Sequence, residues 1–189
     1  MIRAFVAVDI GPEIRERLRA VAHSLAELDA DLKIVAVDSI HLTLKFLGNV
    51  NDEMVQDLGA ILAAAARSVE PFELRAETLG AFPNSRAPRV VWIGIAGGLV
   101  ALRSLYEQVE AGCVRLGLAP ETREYKPHLT LARVRGRKNL KGLSDYITIS
   151  GPGMTLGCCE VSSLYLYQSQ LRPRGAVYSK LVSCPLGRP

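Results

Sequence analysis

One phrase occurs twice in this chain. "HLTLKFLG" runs from His41 to Gly48, and "YKPHLTLARV", Tyr125 to Val134, contains the same four residues at its centre. Two of the three histidines in 189 residues open that tetrapeptide. Polar and apolar residues alternate in both copies, which is the period of a β-strand. In the first copy regular alternation puts His41, Thr43 and Lys45 on one face and Leu42, Leu44 and Phe46 on the other. In the second, His128 and Thr130 share a face while Leu129 and Leu131 turn inward. The copies lie a little under half the chain apart. That is too long for a solenoid repeat and suits two related lobes.

The rest of the pattern is consistent with that division. "IRAFVAVDI" reads as a buried strand, and Pro12 then opens a helix with Ile14, Leu18, Val21, Ala22, Leu25 and Leu28 at helical spacing. His23 falls in this helix among charged residues and is read as an exposed side chain without chemistry. Asn51-Asp52 caps a second helix to about Arg67. "FELRAETLGAF" and "RVVWIGIAG" are two strands joined by the turn-rich "PNSRAP". A third helix spans about Leu99 to Leu116, with Leu102, Leu105, Tyr106, Val109 and Val114 facing the core. A short helix near Leu140 to Tyr146 follows the second motif. Two apolar strands, "MTLGCCEVSSLYLYQSQL" and "GAVYSKLVSC", close the chain. No low-complexity linker divides the halves, so the lobes are expected to pack tightly and to exchange strands.

Hydrophobic residues are 49% and charged residues 22%, which places the chain among soluble globular proteins. Asp9 interrupts the only N-terminal apolar run, so no signal peptide is read there. The run Val90 to Leu102 is broken by Gly97-Gly98 and is too short to span a bilayer. The expectation is a cytoplasmic protein with no membrane association. Cys113, Cys158, Cys159 and Cys184 lack metal-site or scaffold spacing and read as buried, reduced thiols. The net charge of +4 is mild, but its distribution is uneven. "RVRGRKNLK" gathers Arg133, Arg135, Arg137, Lys138 and Lys141 just after the second motif, and "LRPRG" adds Arg172 and Arg174. A basic cluster beside a histidine motif points to a phosphate ligand.

A His-x-Thr pair sets a titratable group beside a hydrogen-bond donor, and a reacting phosphoryl group needs both. Two such pairs facing each other would put acid and base on opposite sides of one phosphorus. A metal site would need more ligands than two histidines on separate strands, and no ligand spacing accompanies them. Binding of a phosphate without chemistry would be served by Lys or Arg alone. Phe46 and Trp92 are candidates to stack on a base, but alternation puts Phe46 on the core face and Trp92 in an apolar strand. Pro127 reads as the start of the second strand.

"RAFVAVDI", "HLTLKFLG" and "PHLTLARV" together resemble the 2H phosphoesterase family, in its RNA 2′,3′-cyclic phosphodiesterase branch, also called the 2′–5′ RNA ligase group. The likeness covers the whole chain, residues 1–189, as one bilobal domain. It implies an α+β fold of two related lobes, each with an antiparallel sheet and flanking helices, and a cleft holding both histidines. It implies metal-independent and cofactor-free opening of a 2′,3′-cyclic phosphate to a 2′-phosphate, with a possible reverse ligation, by a monomer. Carried over by position, His41 and His128 are the catalytic pair, and Thr43, Thr130 and Arg133 contact phosphate. By analogy His41 is the acid and His128 the base, though the residues alone leave this open. Strand parity opposes Arg133, which lies five residues from His128, unless a bulge or the strand's end intervenes. The substrates implied are RNA with 2′,3′-cyclic phosphate ends or nucleoside 2′,3′-cyclic phosphates. A small-molecule cyclic nucleotide phosphodiesterase and a non-catalytic binder of phosphorylated RNA ends are the alternatives.

Overall fold

The computed structural model describes residues 1–172 and 175–187. Arg174 of the second basic cluster lies outside them. In chain order the elements are β1 (Ile2–Val8), α1 (Pro12–Glu27), β2 (Leu32–Ile34), β3 (Leu42–Val50), α2 (Met54–Arg67), β4 (Phe72–Phe82) and β5 (Val90–Ile95). They continue with α3 (Leu99–Arg115), β6 (His128–Val134), α4 (Leu140–Ser150), β7 (Thr155–Val161), β8 (Ser163–Arg172) and β9 (Gly175–Pro185). A 3₁₀ turn, Val37–Ser39, precedes β3.

Two antiparallel sheets result, with strand orders β3-β1-β8-β9 and β2-β6-β5-β4-β7. The fold is the two-lobed α+β arrangement expected, and the halves do exchange strands. β2, from the first half, joins the second sheet, while β8 and β9 complete the first. The segment read as one strand, "MTLGCCEVSSLYLYQSQL", is two. It breaks at Ser162, so that β7 edges one sheet and β8 lies inside the other. The apolar positions change parity there, from Val161 to Leu164, and that step marks the change of partner. β2 has three residues and no pattern of its own, so nothing in the residue order marked it.

Helices α2 and α3 pack together over the first sheet, α2 against β8 and β9 and α3 against β3. Helix α1 packs on β7 and β2, and α4 on β4. Helix α1 forms as its spacing indicated: Pro12 sits in the first turn, and Ile14, Leu18, Val21, Ala22 and Leu25 are buried. Burying a side chain such as Leu18 completely is worth about 1.5–3 kcal/mol. Asn51 Oδ1 accepts the Met54 N–H at 2.9 Å and caps α2. On α3 one position differs, because Val114 is exposed and Cys113 takes the core place beside Val109. Cys158 is exposed as well, on the outer face of edge strand β7, and all four cysteines are free thiols. His23 lies on the exposed face of α1, with Nε2 3.4 Å from Glu27.

Candidate active site

The motif strands β3 and β6 approach one another, so the two sheets meet along the two motifs. Strand β6 departs from simple alternation once and β3 twice, and the departure nearest each histidine decides which side chains face the cleft.

In β3 the register steps between Val6↔Lys45 and Ala7↔Thr43, which leaves Leu44 as an extra residue. A bulge of one residue reverses the facing of everything beyond it. Thr43 therefore lies on the face of Phe5 and Ala7, while Lys45, paired with Val6, turns into the core and is 5% exposed. Phe46 pairs with Phe5 on the cleft face and is 64% exposed. Both side chains sit opposite to what alternation indicated. Lys45 has no place beside His41, and Phe46 is not a core residue.

In β6 the register steps between Val91↔Ala132 and Trp92↔Thr130, with Leu131 as the extra residue. Arg133, paired with Val90, thus shares the face of Trp92, Thr130 and His128. The parity objection to Arg133 is removed by the bulge. Trp92 is half-buried on that same face rather than in the core. Its indole lies flat over Gly80, where a Cβ would come within 2.3 Å of the ring, so only glycine fits beneath it.

The histidines open their strands in matching ways. His41 Nδ1 donates to the Ser39 carbonyl at 2.9 Å, and His128 Nδ1 donates to the Lys126 carbonyl at 2.6 Å. Each bond fixes the tautomer and leaves Nε2 for proton transfer. An aromatic ring supports each imidazole. Phe5 stacks on His41 with centroids 4.5 Å apart, and Phe82 meets His128 edge-on at 5.0 Å. Burial lowers both imidazole pKa values below the ordinary range. The charges nearby differ. Asp9 opposes that lowering at His41, with Arg15 acting weakly the other way, whereas Arg133 lowers His128 further.

Beside His41 stands a cluster that motif spacing did not reveal. Tyr167 stacks on Phe5 at 5.2 Å and donates to Asp9 Oδ1. Burial, then the Asp9 carboxylate, raises the Tyr167 phenol, so it remains a donor. Lys180 Nζ lies 2.7 Å from Asp9 Oδ2 and 3.7 Å from the centre of the Tyr165 ring. Tyr178 meets the His41 ring edge-on at 5.1 Å. The alternation in "SLYLYQS" was a usable sign that Tyr165 and Tyr167 share a face. Its adjacency to His41 depends on β8 pairing with β1. Among the described residues no group of three or more His, Cys, Asp or Glu side chains could hold a metal ion. Of the basic loop, Lys138 pairs with Asp29 at 2.6 Å and Lys141 with Asp145 at 2.7 Å, at the surface.

The fold is that of a phosphoesterase, and the chain belongs to the LigT-like phosphoesterase family, whose model matches residues 8–92 and 97–178. A relative from Aeropyrum pernix, an RNA 2′,3′-cyclic phosphodiesterase, is 37% identical over 165 residues, covering 87% of this chain and 92% of that one. Another so named, from Archaeoglobus fulgidus, is 36% identical and covers 95% of this chain and 98% of its own. The crystal structure of Escherichia coli LigT complexed with 3′-AMP matches with a TM-score of 0.80 at 28% identity, over 99% of both chains. No helix among the described residues is long and apolar enough to cross a membrane.

Proposed function

We propose that this protein is an RNA 2′,3′-cyclic phosphodiesterase in which His41 and His128 act as acid and base on one phosphorus. One observation carries the reading. The two half-sites repeat a single design: a histidine tied by Nδ1 to the carbonyl two residues before it, a threonine on the same face, and an aromatic ring against the imidazole. His128, with Arg133 beside it favouring the neutral ring, takes a proton from water as the oxygen attacks phosphorus. The bond from phosphorus to the 3′ oxygen breaks. His41, with Asp9 favouring its charged form, gives that oxygen a proton from Nε2. The products are a 2′-phosphate and a free 3′-hydroxyl. Thr43, Thr130 and Arg133 hold the non-bridging oxygens. The exposed ring of Phe46 offers a surface on which a base can stack.

The test is hydrolysis of an RNA oligonucleotide ending in a 2′,3′-cyclic phosphate, after exhaustive EDTA treatment, followed by phosphorus NMR. A 2′-phosphate product at undiminished rate is expected. Loss of activity restored by Mg²⁺, Mn²⁺ or Zn²⁺ would refute the metal-free mechanism, and a 3′-phosphate product would reverse the placement of the ribose.

The lowered imidazole pKa values lead to a pH dependence. The kcat/KM profile reports groups in the free enzyme, so both limbs of its bell are expected on the acid side of the ordinary histidine value, about 6.5. A bound anionic phosphate favours the imidazolium, so the kcat profile should move to higher pH. The two values belong to the pair rather than to either ring. Rates measured from pH 4 to 9 check this, and a kcat/KM still rising between pH 7 and 8 would contradict it. Stability follows the same sign. Rings held below their unfolded value cost stability as pH falls from that unfolded value through the folded one.

A further inference from the structure

We propose that Lys33, one strand beyond Arg133, forms a second anion subsite on the cleft face, which takes the phosphodiester on the 5′ side of the reacting RNA terminus. This extends the reading above from the cyclic phosphate to the strand that carries it. Lys33 is the register partner of Arg133 across β2 and β6. Because of the bulge at Leu131, both side chains stand on the face of His128 and Thr130. Both are exposed. Two cations directly opposite one another in a ladder repel and destabilise it. Acidic neighbours are the usual remedy, yet among the described residues neither Lys33 nor Arg133 makes an ion pair. The loop that follows differs in this respect, since Lys138 and Lys141 are both paired there. Asp31, two residues before Lys33, is turned towards Gly136, where a Cβ would fall 2.1 Å from its Oδ2.

An unpaired like-charge row leading away from the reacting group suits an anion. Thr130 and Arg133 are successive cleft-facing positions on β6, and Lys33 lies one strand further out, about 4.8 Å across the ladder. A chain of phosphodiesters leaving the site in that direction meets Arg133 and then Lys33. A lone nucleotide has no phosphate to offer Lys33. A lysine on an edge strand also discourages edge-to-edge pairing, but that role does not depend on the length of the substrate.

The experiment compares Lys33→Gln and Lys33→Arg with the unaltered protein on a trinucleotide ending in a 2′,3′-cyclic phosphate and on a nucleoside 2′,3′-cyclic phosphate. Lys33→Gln is expected to lower kcat/KM for the trinucleotide about 5–20-fold through KM, to leave the nucleoside within twofold, and to be rescued by Lys33→Arg. The slope of log kcat/KM against log salt for the trinucleotide should become shallower by about 0.7, the loss of one single-strand phosphate contact. Calorimetric binding of a trinucleotide 2′-phosphate against a nucleoside 2′-phosphate runs beside it and needs no turnover. Equal effects of Lys33→Gln on long and short ligands, in rate and in binding, would overturn the proposal. Length-dependent binding without hydrolysis would uphold the subsite while overturning the catalytic reading.

Discussion

His41→Ala and His128→Ala are each expected to lower hydrolysis of a 2′,3′-cyclic phosphate about 10²–10⁴-fold while leaving the protein folded, the usual loss on removing a general acid or base. Neither ring is central to packing. Both are half-buried at the cleft, each held by one backbone carbonyl, with Phe5 and Tyr178 against His41 and Phe82 against His128. Circular dichroism and urea titration establish the fold, and single-substrate kinetics give the loss. Turnover within a few-fold of the unaltered protein in either folded variant would end the paired-histidine account. A p-nitrophenyl phosphodiester separates the roles, because its leaving group needs no proton. With Asp9 beside His41 and Arg133 beside His128, His41→Ala should recover much of its relative rate on that ester, and His128→Ala should not. The reverse would exchange acid and base. Equal impairment on both esters would mean that the rings only bind phosphate.

Lys45→Met is expected to destabilise the protein by about 3–5 kcal/mol, a large part of the 5–15 kcal/mol typical of a domain. Lys45 Nζ donates to Glu110 Oε2 at 2.6 Å and to the Ala119 carbonyl at 3.0 Å, with the two side chains 4% and 17% exposed. Glu110 Oε1 accepts the Glu121 N–H at 2.8 Å. Removing the ammonium leaves a carboxylate in a largely buried site, with only the Glu121 N–H to offset its lost hydration. Replacing both partners, Lys45→Met with Glu110→Leu, should return most of the stability. Urea midpoints of the three proteins check this, and a single variant as stable as the unaltered chain would show the pair to be immaterial. The same contacts, with Tyr125 Oη donating to the Thr43 carbonyl at 3.4 Å and stacking on Tyr106 at 4.2 Å, bind the segment before β6 to β3. The double replacement is therefore a test of alignment as well, since it spares stability but loosens the approach to His128.

Much of the candidate site could be read from residue order. His41, Thr43, His128 and Thr130 lie close to the start of their strands, before any bulge, so alternation places them correctly. The helices were legible because apolar residues at 3.6-residue spacing are a local property. Beyond the bulges alternation failed. One extra residue at Leu44 sent Lys45 inward and Phe46 outward, and one at Leu131 brought Arg133 to the cleft. A bulge has no composition of its own and exists only against a partner strand, β1 in one case and β5 in the other. Val114 failed for a related reason, as the face a helix buries is chosen by what packs on it.

The sequence by itself determined that two strands would each present an imidazole and a hydroxyl on one face, because side-chain alternation is a property of the extended backbone. Only the tertiary structure decided what joins them. Pairing across the sheets set Asp9 by one histidine and Arg133 by the other, and it opposed Lys33 to Arg133 across a ladder. Those neighbours come from separate parts of the chain. Their charges act through distance, and distance is fixed only when the strands have packed.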